Sequence, residues 1–189
     1  MSLGNDVISI VHLVERTEDR KQRYFNKTYT ENEIRIIKTL SKQHVEGFFW
    51  TLKESAYKAY FRVIPKVIMS PKQFEVLTFD EKGATVKTPA GLMHSKVEFT
   101  EEYIHAVCST RENGVNEIEY NVFQFKENFY QEVKTKIASY QNCGVDQVEI
   151  SKDENNVPTL KLKNQQYLLS LSHDYNWGSY AYQKQSISV

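Results

Sequence analysis

The chain has 189 residues, 40% of them hydrophobic and 25% charged, the balance of a globular protein with length for one large or two small domains. Its 13% aromatic content, with 12 Tyr and 10 Phe, excludes a disordered chain, and 24 basic residues against 24 acidic ones exclude nucleic-acid binding by bulk charge. No apolar run reaches membrane-spanning length, the N-terminus lacks the pattern of a signal peptide, and Cys108 and Cys143 have no metal-type spacing, so a cytoplasmic protein with reduced thiols is expected.

In chain order, "DVISIVHLV" is β-branched and alternates, which predicts a strand. "ERTEDRKQRYFNK" follows as helix or loop, with Arg16, Arg20, Lys21, Arg23 and Lys27 forming a basic run against three acids. Thr30 with Glu33 three residues on is a capping-box pattern that opens a helix at "YTENEIRIIKTL". The next helix is expected over 45–61, with Pro65 and Pro71 bracketing its exit loop. "QFEVLTF" and "ATVKT" flank the turn "DEKG" and predict a hairpin. "SKVEFT", "EYIHAVCST" and "EIEYNVF" read as further strands. Phe129, Val133, Ile137 and Tyr140 recur at helical spacing, with Gly144 as a stop. "QVEIS", "PTLKL", "YLLSLSH" and "GSYAYQ" complete the strand set. Strands and helices interleave without strict βαβ alternation, so the fold class is α+β.

Three stretches carry candidate chemistry: "GND" at Gly4 to Asp6, "KESAYK" at Lys53 to Lys58, and "SLSHDYNWGSYAY" from Ser170. Taken singly, each has a plain explanation. Asp6 reads as a turn cap, Glu54 and Lys58 as a solvated i,i+4 pair, His173 as a satisfied half-buried ring and Asp174 as a turn residue. Taken together they suit another use. Trp50, Glu54 and Lys58 share one side of their helix, and a carboxylate enclosed among aromatic residues must be paired or bind a metal. Asp6 and Glu54 supply the hard oxygen ligands that Mg²⁺ prefers, and Lys58 and His173 can face phosphate oxygens. That set equips a site for transfer from a diphosphate.

G-x-D, then W-x-x-K-E-x-x-x-K, then S-x-S-H-D resembles the motif set of the 4'-phosphopantetheinyl transferase superfamily. "YTENE" and "EEYIHAVCS" resemble segments of the larger, surfactin-synthetase-activating type, and the helix with "VDQVEISKDENNVPTLKL" resembles that type's opening half. The S-x-S-H-D element stands last, as in the small holo-acyl-carrier-protein synthases, so the chain looks like the two-lobed enzyme circularly permuted. The resemblance implies one domain of two similar lobes related by a pseudo-twofold axis, each a small antiparallel sheet on a long helix. Residues 1–65 and 125–189 would bring motifs to the lobe interface, and 66–124 would be a strand-rich segment of the second lobe.

It also implies transfer of 4'-phosphopantetheine from coenzyme A to a serine of an acyl or peptidyl carrier protein, with Mg²⁺ and release of 3',5'-ADP. Asp6 and Glu54 would hold the metal. Glu54 and Lys58 would be catalytic, and Lys58, Ser172 and His173 would bind coenzyme A. The general base stays open among Glu54, Lys58 and a metal-bound water. A monomer is implied, with neither nucleic acid nor membrane as partner, and the basic run would dock the acidic carrier. There are departures. Ile8 and Ser9 stand where relatives often place a third acid, and the G-K-P turn reads Asn156-Val157-Pro158, without its lysine. The alternative is a non-catalytic coenzyme A or carrier-binding module of the same fold.

Overall fold

The computed structural model describes residues 2–14, 18–40, 44–65, 68–81 and 83–184; the side chains of 14 and 18–22 lie outside the description. The first strand, β1 (Leu3–Ser9), is buried along its whole length. The predicted strand over "DVISIVHLV" therefore ends sooner than expected: Ile10–Val14 is a short helix, α1, and the Ile10 N–H bonds to the Glu102 carbonyl. Ile10, Val11, Leu13 and Val14 continue the apolar run past the strand, so composition does not mark where extended chain stops.

The helices α2 (Glu18–Thr28), α3 (Glu31–Thr39) and α4 (Val45–Val63) follow. The capping box opens α3 as predicted: the Thr30 hydroxyl accepts from Glu33 N–H, and the Glu33 carboxylate accepts from Thr30 N–H. The same carboxylate also takes Lys53 Nζ at 2.7 Å and Val76 N–H at 2.9 Å, both fully inside the protein. Burial lowers the Lys53 pKa and Glu33 opposes that shift, so the lysine of the K-E pair ties α3 and α4 together and reaches no substrate. Trp50 meets Tyr24 edge-on at 5.6 Å, which seats α2 on α4.

Strands β2 (Glu75–Phe79) and β3 (Gly83–Thr88) form the predicted hairpin, followed by β4 (Gly91–Phe99) and β5 (Tyr103–Ser109). Then come β6 (Glu119–Gln124), α5 (Phe129–Tyr140), β7 (Val148–Lys152), β8 (Pro158–Leu162), β9 (Gln165–Asp174) and β10 (Trp177–Lys184). Of the four helical-spacing residues of α5, Val133 and Ile137 are core, Phe129 packs beside them, and Tyr140 is exposed.

The strands make two five-stranded antiparallel sheets, ordered β1-β5-β4-β3-β2 and β6-β10-β9-β8-β7. The two orders are the same when each is counted from its own first strand, and a helix follows the first strand of each. The fold is α+β with two lobes of repeated topology. Residues 66–124 divide between them: β2 to β5 join β1 in the first sheet, and β6 opens the second. One apolar core lies under α4 and another under α5. A third, small cluster of Leu3, Val107, Ile118 and Ala181 joins the lobes. Cys108 is buried, Cys143 is half-buried, and both are free thiols. No described helix is long and apolar enough to cross a membrane.

Candidate functional site

β1 has β5 on one edge and β9 of the other lobe facing its second edge. Among the described residues no strand pairs with it along that second edge. Side chains of β9 take the place of a backbone ladder. Ser170 Oγ accepts from Asn5 N–H at 2.9 Å, Ser172 Oγ from Val7 N–H at 3.3 Å, and Asp174 Oδ2 from Ser9 N–H at 2.8 Å. Alternate residues of β9 share one face, so the S-x-S-x-D spacing matches the period of exposed amides on β1. Asn5 Nδ2 adds a bond to Ser179 Oγ at 2.9 Å. Ser170→Ala leaves the buried Asn5 N–H unpaired and is expected to cost about 1–3 kcal/mol, measured by urea unfolding.

Asp6 reaches both β9 and α4. Its Oδ1 accepts from Lys58 Nζ at 2.8 Å and from the Ser172 hydroxyl at 2.8 Å. Ser172 thus takes the Val7 amide and donates to Asp6, which fixes its proton. α4 runs antiparallel to β1, with Arg62 at Leu3 and Gly47 at Leu13. Glu54 lies one turn from Lys58 and beside Asp6. Among the described residues the Glu54 carboxylate has no hydrogen bond or ion pair. Burial, then the Asp6 carboxylate, push its pKa up to about 7, with Lys58 opposing. A half-buried carboxylate without a protein donor, facing a second carboxylate, fits an oxygen-liganded cation. No cluster of three or more His, Cys, Asp or Glu occurs among the described residues, so the protein offers two acids there.

Beside Lys58 a cleft of about 250 Å³ opens between the lobes, lined by Tyr57, Lys58, Arg62, Asn156, Pro158 and Ser170, with others. The Asn156-Val157-Pro158 turn therefore sits at the mouth of the same cleft. Asn156 has φ 63°, in the left-handed region that asparagine adopts more readily than most residues. Asp153 holds the turn by accepting from the Asn155 and Val157 amides.

Arg62 escaped the sequence reading. Its guanidinium donates to the Leu3 carbonyl at 2.8 Å, to Pro158 at 3.3 Å, and to Leu169. Burial lowers its pKa to about 10, opposed by Asp153. A basic residue in a helix's last turn signals only a dipole partner, and nothing local marks it as a pin between lobes. His105, on β5, is fully buried; burial first and Lys58 second lower its pKa to about 3, so it is neutral.

The structure brings Asp6, Glu54, Lys58 and Ser172 together. It puts His173 elsewhere: the ring is exposed on the other face of β9, 5.0 Å from Phe129 and 5.9 Å from Phe125. Asp174 faces inward in its stead. Arg16 lies outside the described residues, as do the side chains of Arg20 and Lys21, while Arg23 and Lys27 are exposed.

No curated protein matches the chain. The family model of the 4'-phosphopantetheinyl transferase superfamily matches residues 2–108, more than half of the chain, and that match takes in the G-x-D strand, the tryptophan helix and all of the first sheet but Ser109. The chain therefore belongs to the 4'-phosphopantetheinyl transferase superfamily, among transferases of that kind.

Proposed function

We propose that this protein transfers 4'-phosphopantetheine from coenzyme A to a serine hydroxyl of an acyl or peptidyl carrier protein and releases 3',5'-ADP. The observation that carries the reading is the meeting of Asp6, Glu54, Lys58 and Ser172, from three elements and both lobes, beside a cleft that ends at the 156–158 turn. Superfamily membership supports the same reaction class.

Asp6 and Glu54 would hold Mg²⁺, which when bound neutralises charge on the pyrophosphate and orients the attacked phosphorus. Lys58, kept in place by Asp6, offers its remaining N–H groups to a phosphate oxygen and stabilises the charge that grows there. Ser172 holds Asp6 at a fixed angle. The nucleotide half of coenzyme A would lie along Tyr57 and the 156–158 turn, with Ser170 at the floor. Val157 brings no charge to the turn where the resemblance puts a lysine. His173 would meet the 3'-phosphate only from the outer face of β9.

Incubation of apo carrier proteins with the protein, coenzyme A and Mg²⁺, followed by mass spectrometry, is expected to give a gain of one phosphopantetheine group. Asp6→Asn and metal chelation should each lower the initial rate by about a hundredfold or more. Coenzyme A binding without any transfer would favour the non-catalytic module instead.

A further inference from the structure

Beyond the cleft, β1 leads to a second polar pair. From Leu3 to Leu13 the chain passes from the 156–158 turn, past Asp6, to α1. There Asp174 divides its two oxygens: Oδ2 accepts the Ser9 amide, and Oδ1 stands 2.8 Å from His12 Nδ1. The His12 side chain is 41% exposed and Asp174 19% exposed, so the pair is anchored inside and open outside. A carboxylate only accepts, so the neutral ring meets it through Nδ1–H and keeps a lone pair on Nε2. The Tyr175 ring, 5.5 Å from that of His12, flanks the pair.

Distance along β9 connects this pair to the reacting centre. Ser172, which bonds Asp6, and Asp174, which bonds His12, are two residues apart on one strand face. That step is about 7 Å. A phosphorus approached by an oxygen at about 3–3.5 Å, with that oxygen hydrogen-bonded at about 3 Å to a base, spans a similar length. Direction agrees as well. In a phosphoryl displacement the attacking and leaving oxygens lie roughly in line. If the nucleotide leaves toward the 156–158 turn, the acceptor hydroxyl arrives from the side where His12 stands. Glu54 is assigned to the cation in the reading above, Lys58 is engaged by Asp6, and His105 is sealed in the interior.

We propose that the His12–Asp174 pair is the general base of the transfer, with His12 Nε2 taking the proton and Asp174 positioning the ring. The inference rests on the transferase reading above. The serine oxygen forms a bond to the phosphorus that carries the pantetheine arm. The bond from that phosphorus to the bridging oxygen breaks, and its electron pair leaves with 3',5'-ADP. The serine proton goes to His12 Nε2 and then to solvent. No oxidant or further reactant is needed.

The test is the single-turnover rate on an apo acyl carrier protein that the wild-type protein modifies. His12→Ala and His12→Gln should each lower the rate by about a hundredfold or more, with coenzyme A affinity within about twofold of wild type. The glutamine variant keeps a donor for Asp174 and guards against a folding defect in the alanine variant. Imidazole in the buffer should restore His12→Ala severalfold, which a purely structural role would not allow. Asp174→Asn should slow the wild-type protein and add nothing to His12→Ala. A His12→Gln rate within threefold of wild type, or no response of His12→Ala to imidazole, overturns the assignment of the base and leaves the transferase reading intact. Failure of the wild-type protein to modify any carrier overturns both.

Discussion

Glu54→Gln is expected to make the protein more stable and inactive. The Glu54 carboxyl rises from an ordinary 4.5 to about 7, because burial and then the Asp6 carboxylate disfavour its charge. Between those two values the unfolded chain is ionised while the folded chain keeps the proton. The folded state then binds more protons, so the stabilisation is complete below about pH 4.5 and is lost as pH rises to 7. At pH 8 the wild-type protein carries the full penalty, on the order of 1–3 kcal/mol. Glutamine is nearly isosteric and uncharged, so at pH 8 its midpoint of thermal unfolding should lie about 3–8 °C higher. At pH 4 the difference should vanish. Transfer should fall by at least about a hundredfold, since one of two cation ligands is gone. Mg²⁺ should raise the wild-type midpoint at pH 8 and leave that of the variant unchanged. Lower stability of Glu54→Gln at pH 8 would refute the account of two repelling carboxylates. Stability given up at a functional site is a common trade.

Gly4→Ala should be the most damaging single methyl in the first lobe. A Cβ at Gly4 would lie 1.9 Å from the Ser55 carbonyl oxygen and 2.6 Å from Ala59 N. Both are backbone atoms of α4, so neither can rotate away. The strand and helix must separate, and the core residues Ile8, Leu52 and Ala56 lose contact with each other. A loss of about 4 kcal/mol or more follows, a large share of the stability of a domain of this size. The midpoint should drop by roughly 10 °C, or the protein should fail to accumulate in soluble form. Gly47→Ala is the control. Its Cβ would come within 2.3 Å of Leu13 Cδ1, the end of a side chain that can shift, so the cost should be smaller by at least half. Equal losses in the two variants would show that the close strand–helix approach is not what Gly4 serves. That approach sets how near Glu54 and Lys58 come to Asp6, so the glycine of G-x-D works for the acid two residues on.

Local patterns carried much of this architecture. The Thr30–Glu33 box, the hairpin around "DEKG" and the long tryptophan helix are short-range features whose signals lie within a few residues, and the structure contains each. The longer reach of α4, to Val63 where 45–61 was expected, is a boundary effect of fraying ends. Contacts between distant segments had no such signal. The role of Ser170, Ser172 and Asp174 depends on β1 lying beside β9, about 165 positions away in sequence. Period-two alternation did make Ser170, Ser172 and Asp174 one set and His173 the odd member, but only the partner strand tells which set faces inward. His12 lay hidden because it stands in an apolar run, and Arg62 because it ends a helix as many cations do.

The amides of Asn5, Val7 and Ser9 owe their protection wholly to the other half of the molecule. They are bonded to hydroxyls and a carboxylate that belong to β9, so parting of the halves frees all three at once while the first sheet stays paired. In native-state hydrogen exchange they act as an internal reporter of that parting, distinct from global unfolding, which the amides at the centre of β5 would register.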